Sequence, residues 1–145
     1  MALVGIGGSR TTDWKPCVDD LFGEIAPKNV VIHLGTNDIP STATSVISKN
    51  IKELCDTIHK LYPDTKIYYF GITQRSNYMD NVNSPNALIK AWCESETYKD
   101  YVTFIDTSSK FTSNMLKSDG IHMTTSGYAL FVQELANAGC IIENK

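Results

Sequence analysis

Three short segments of the 145-residue chain hold residue types that could do chemistry together, although none is persuasive alone. In Asp119-Gly120-Ile121-His122 a carboxylate stands three residues ahead of an imidazole. At that spacing the carboxylate can bond Nδ1–H, orient the ring and stabilise the imidazolium, which leaves Nε2 free to act as a general base. An isolated pair of this kind is usually just a turn carboxylate and a surface histidine. Gly35-Thr36-Asn37-Asp38 closes an apolar run, so the Asn37 amide can point beyond a strand end as a donor to developing negative charge. The same residue types also make a plain turn. Gly5-Ile6-Gly7-Gly8-Ser9-Arg10 is rich in glycine, but the dinucleotide pattern fails at Arg10 and no GxxxxGK exists. What remains there is backbone N–H, notably that of Gly8, which can approach an oxyanion closely because glycine has no side chain.

Such residues act together only if the fold brings them to one place. Asn29-Val30-Val31-Ile32-His33-Leu34-Gly35 reads as a parallel strand buried on both faces and ending at a glycine. Residues 66–73 and 101–106 share its β-branched and aromatic character, and residues 2–6 are a short fourth candidate. Helices are expected between the strands. One runs from about Ser41 to Leu61, with Ile47, Ile51, Leu54, Cys55, Ile58 and Leu61 at three-to-four spacing and Pro63 as its stop. A second runs from Asn86 to about Tyr98, entered at Pro85, with Leu88, Ile89 and Trp92 on one side. A third covers Thr125 to Ala138, with Tyr128, Phe131, Val132 and Leu135 on a stripe and Gly139 after it. A shorter one is expected in residues 13–25, near Pro16. This alternation predicts one α/β domain over residues 1–145, a doubly wound and mostly parallel three-layer sandwich with right-handed crossovers. Its ligand site would lie beyond the carboxyl ends of the strands, at Gly7 to Ser9, Gly35 to Asp38, Thr73 to Arg75 and the loop after Asp106.

Composition narrows the chemistry. Thirteen Lys and Arg against sixteen Asp and Glu leave a net charge of −3, the wrong sign for a general phosphate binder, so no nucleic-acid partner is expected. Cys17, Cys55, Cys93 and Cys140 are 38, 38 and 47 residues apart, without metal-ligand spacing. We expect no metal site, reduced and partly buried thiols, and no cysteine nucleophile. The first residues lack a basic stretch and a long apolar run, and nothing later could span a bilayer. The chain as given therefore reads as cytoplasmic and without a membrane partner, and secretion would need a segment upstream. His33 is expected to be a hydrogen-bonded core or near-site residue. His59 falls on the cover helix, Trp92 in the core, and Gln74 and Arg75 at the rim of the site or in a solvated loop.

In order along the chain, the glycine segment at 5–12, Gly35-Thr36-Asn37-Asp38 and Asp119-Gly120-Ile121-His122 resemble the second, third and fourth conserved blocks of the SGNH hydrolases, which include the GDSL esterases and lipases. The resemblance covers nearly the whole chain. It implies a flavodoxin-like sheet, an esterase-type serine mechanism without a cofactor, and short acyl esters, such as acetylated sugars, as substrates. It also implies that Gly8 N–H and the Asn37 side chain form the oxyanion hole, with His122 the base and Asp119 its orienter. The first block, a Gly-Asp-Ser with the nucleophile and the strand before it, would fall ahead of residue 1. Two arrangements answer this. Either the chain is a fragment, or residues 2–6 move inward to pair with Val30 to Leu34 and Ser9 takes the nucleophile's place. The approach to the next block fits the first arrangement better. An open sheet edge could also be closed by a second copy, giving a homodimer. The rival reading is a non-catalytic domain that keeps the crevice and binds without turnover.

Overall fold

The structure is a computed structural model that describes residues 4–73, 79–106 and 109–140, without the side chains of 79–81. Three parallel strands form its sheet in the order β1-β2-β3: β1 is Asn29–Ile32, β2 Lys66–Phe70 and β3 Val102–Ile105. Val31 faces Tyr68 across the first pairing, and Tyr68 faces Thr103 across the second. Each strand is a little shorter than its apolar run, because the run's last residues leave the ladder to build the turns.

The continuous apolar character of β2 follows from burial on both faces. Successive side chains of a strand point to opposite sides. Ile67 and Tyr69 accordingly join the core beneath α2 (Thr44–Leu61) and α3 (Met79–Cys93), whereas Tyr68 and Phe70 join the core beneath α4 (Thr125–Asn137). Ile47, Ile51, Leu54, Cys55 and Ile58 form the buried stripe of α2, as their spacing predicts, whereas Leu61, expected on the same stripe, ends the helix 43% exposed. On the opposite face Leu135 of α4 packs with Phe70, Ile105 and Phe111. The expected three-layer α/β architecture is the one observed.

Two elements depart from expectation. Residues 4–6 form no strand, and Val4 and Ile6 are 57% and 66% exposed. With Gly5, Gly7 and Gly8 so close together, the entropy lost on fixing this backbone exceeds what so few apolar side chains return. Inward pairing of this segment with β1 is therefore absent over residues 4–6. A groove of about 200 Å³ lies along β1, with Val4, Trp14 and Phe22 among its walls. The second departure is α3, which begins at Met79 and carries Pro85 inside it rather than at its entry. A proline supplies a helical φ and forfeits one N–H bond. Burial of Val82, Ile89 and Cys93 outweighs that loss. The helix also stops earlier than expected, where the Ser95 hydroxyl donates to the Trp92 carbonyl at 2.7 Å and turns follow. Residues 13–25 hold only a 3-10 turn, Lys15–Cys17, and the short α1, Val18–Phe22.

Candidate active site

Because the strands are parallel, the loops after β1, β2 and β3 emerge at one end of the sheet, and two of the three candidate segments are among them. The loop after β1 begins at Gly35, whose φ of 112° suits only glycine. A Cβ there would lie 2.6 Å from Ile72 Cδ1, so close packing against the segment after β2 also requires its absence. The Asp38 and Ile39 N–H groups both donate to the Gly35 carbonyl, which tightens the turn that presents Asn37. Asn37 Nδ2 then donates to the Ser9 carbonyl at 3.0 Å. That bond uses one amide hydrogen and leaves the second for another acceptor. It also ties the amide to the residue that follows Gly8, which has φ 77° and whose N–H makes no hydrogen bond among the described residues.

The loop after β3 ends in a tight hairpin. Leu116 and Met123 form an antiparallel bridge, the Lys117 N–H donates to the His122 carbonyl at 2.7 Å, and the Thr124 N–H to the Met115 carbonyl at 2.8 Å. At its tip one Asp119 oxygen accepts the Ile121 and His122 N–H groups at 2.8 and 2.9 Å, and the other meets His122 Nδ1 at 2.8 Å. The backbone bond from His122, its ring bond and the Ile121 bond hold the Asp119 carboxyl down to about 2, so it is ionised at neutral pH. The imidazole is thereby fixed through Nδ1 and turns Nε2 outward, with its side chain 70% exposed. The Thr124 hydroxyl caps α4 by accepting the Gly127 N–H. A Cβ on Gly127 would be 2.6 Å from the Met115 carbonyl oxygen, so helix and hairpin touch through glycine.

Ser9 Oγ accepts Trp14 Nε1–H at 3.2 Å and makes no hydrogen bond to His122. The expected hydrogen bonding of His33 is absent at Nε2, which is buried without a partner among the described residues. The ring packs edge-on against Phe70 at 5.4 Å and near Phe131 at 5.6 Å, and burial lowers its pKa to about 4. His59 stacks on Tyr101 at 3.7 Å, and Trp92 packs on the core with its Nε1 donating to Ser48 Oγ. Cys55, Cys93 and Cys140 are buried and Cys17 is exposed, all with free thiols. Burial raises Cys55 well above its ordinary value and Cys93 to about 12, which makes both poor nucleophiles. Gln74 and Arg75 lie outside the described residues. Among those described, no three His, Cys, Asp or Glu side chains gather as a metal site, and no helix is long and apolar enough to cross a membrane.

Two contacts at the site were not foreseen. The Trp14 bond to Ser9 is one. The other involves Asp38, for which the sequence suggested only a turn: its carboxylate accepts the Thr11 N–H at 3.0 Å and the Thr11 hydroxyl at 2.8 Å.

The sequence model of the GDSL-like lipase/acylhydrolase family matches residues 1–130. Among solved structures, the chain is similar to an acetyl esterase variant with acetate ion, at 20% identity and a TM-score of 0.82, covering 92% of this chain and 67% of that one. It is similar to a carbohydrate esterase family 3 protein from Talaromyces cellulolyticus, at 20% identity and 0.73, with the same coverage of 92% and 67%. A catalytic variant of an acetylxylan esterase from Geobacillus stearothermophilus gives 15% identity and 0.74, covering 92% and 68%. At such identities the likeness is one of fold. No curated protein sequence matches the chain.

Proposed function

The chain belongs to the GDSL-like lipase/acylhydrolase family, and from that premise we propose that it hydrolyses carboxylic esters of short acyl groups, acetylated carbohydrates among them. The observation that carries this reading is the Asp119–His122 pair, bonded through Nδ1 at 2.8 Å with Nε2 turned outward. In the proposed reaction a hydroxyl attacks the ester carbonyl while His122 Nε2 takes its proton. Asp119 stabilises the resulting imidazolium, and Gly8 N–H with the free Asn37 amide hydrogen receives the negative charge on the tetrahedral oxygen. His122 then returns the proton to the departing alcohol, and water repeats the sequence on the acyl intermediate. Acetyl as the acyl group is favoured by two structural neighbours described as acetyl and acetylxylan esterases, and a carbohydrate alcohol by a third described as a carbohydrate esterase.

Within this chain Ser9 is the candidate nucleophile, next to Gly8 and tied to Asn37 through its carbonyl, although the inward pairing expected to seat it is absent over residues 4–6. Its hydroxyl, held by Trp14 rather than His122, favours a second reading in which the crevice binds an ester or acyl ligand without turning it over. An organofluorophosphonate, which captures serines activated by a histidine, separates the two. An adduct mapped to Ser9 and lost in His122→Ala supports the hydrolase. Absence of any serine adduct, with retained binding of an acetylated sugar, supports the second reading. An adduct on another serine would reassign the nucleophile.

A further inference from the structure

We propose that Asp38 is a positioning residue that sets the geometry of the oxyanion donors by locking the glycine loop onto the turn after β1. This rests on the ester-hydrolase reading. The carboxylate is 1% exposed and faces no cation within ion-pair distance, so its two hydrogen bonds from Thr11 are its compensation among the described residues. Thr11 is equally buried, also at 1%, and its hydroxyl oxygen in turn accepts Asn50 Nδ2 at 3.0 Å from α2. The hydroxyl is thus fixed in direction, as donor to Asp38 and acceptor from Asn50. Two adjacent side chains of one turn therefore hold the same loop at two points, Asn37 at the Ser9 carbonyl and Asp38 at Thr11.

The consequence concerns Gly8. Its N–H sits on a stretch with three glycines in four residues, which has little conformational preference of its own. Without Asp38 that loop would be tied to the turn after β1 by the single Asn37 amide bond, and that amide must also serve the oxyanion. Asp38 relieves it of the task by anchoring the loop two residues further on. The two donors then keep their separation before any substrate arrives, which is what preorganised stabilisation requires.

The test uses Asp38→Asn, nearly the same shape, which replaces one acceptor oxygen by a donor group facing one of the two Thr11 donors. Thr11→Val removes only the hydroxyl, and Thr11→Ser restores it. With an acetyl ester, Asp38→Asn and Thr11→Val are expected to lower kcat by about 10- to 100-fold, a loss on the scale of a small misplacement of reacting groups, with KM changed less than about threefold. Thr11→Ser should stay near the parent. Amide NMR relaxation supplies a readout independent of turnover. The Gly8 and Ser9 order parameters should fall from about 0.85 to below about 0.6 in both disruptive variants, while the β2 amides stay rigid. If Asp38→Asn does not fold, Thr11→Val carries both readouts. The lock is refuted if the loop amides stay as ordered as in the parent, or if folded variants lose KM and kcat alike. Should the parent chain show no turnover, the ester-hydrolase reading fails, and the amide measurement still decides whether the lock exists.

Discussion

Gly35→Ala tests whether the turn carrying Asn37 is fixed by backbone conformation and close packing together. At φ 112° a residue with a Cβ is strained by about 1–3 kcal/mol. The new methyl would also stand 2.6 Å from Ile72 Cδ1 and 2.9 Å from Cγ1. Ile72 is 3% exposed, so displacing it pushes on packed core, an overpacking cost of about 1–3 kcal/mol. The sum is about 2–6 kcal/mol, a large part of the roughly 5–15 kcal/mol that holds a domain together. Urea unfolding followed by the fluorescence of Trp14 and Trp92 measures it. A cycle with Ile72→Ala separates the two parts: in that background Gly35→Ala should cost about 1–3 kcal/mol less, while the conformational part persists. A loss below about 0.5 kcal/mol would refute the reasoning outright, and zero coupling with Ile72 would refute its packing half.

Asn37→Ala should lower kcat for an acetyl ester by about 10²–10³-fold with the fold intact, and an unchanged rate would reduce Asn37 to a turn residue. Asp119→Asn should cost about 10⁴-fold, the loss typical when an orienting carboxylate no longer holds the imidazole tautomer, and steady-state rates at neutral pH check it. Burial lowers His33 from 6.5 to about 4, so as pH falls the unfolded chain takes up this proton first. The stability this residue contributes is complete above about pH 6.5 and is lost between there and pH 4, on the order of 3 kcal/mol in all. Unfolding midpoints of the parent and His33→Gln between pH 4.5 and 7.5 should differ in slope accordingly, and parallel slopes would count against a buried neutral ring.

What could be read from the sequence was whatever depends on local period and spacing. The stripe of α2 follows from its three-to-four spacing, and the apolar run of β2 from burial on both faces. The Asp119–His122 pair was legible because its geometry closes within four residues. Residues 4–6 were misleading because apolar content suggested a strand while the glycines set its entropic cost, and a partner edge is not visible in a linear pattern; residues 2 and 3 of that expected strand lie outside the described residues. Pro85 was misplaced for a related reason, since burial of Val82 and Ile89 against neighbouring elements decides whether a helix tolerates it. The bonds from Thr11 to Asp38 and from Trp14 to Ser9 have no local signal. The first spans 27 residues, and the second depends on how an irregular loop folds back.

In the proposed reaction His122, oriented by Asp119, acts as the base in ester hydrolysis. The most direct test of that role is the hydrolysis of 4-nitrophenyl acetate by the chain and by His122→Ala, side by side at neutral pH. Turnover by the parent should fall by at least about 10³-fold in the variant, down to what binding and oxyanion donors alone sustain. Equal rates in the two proteins would contradict that role.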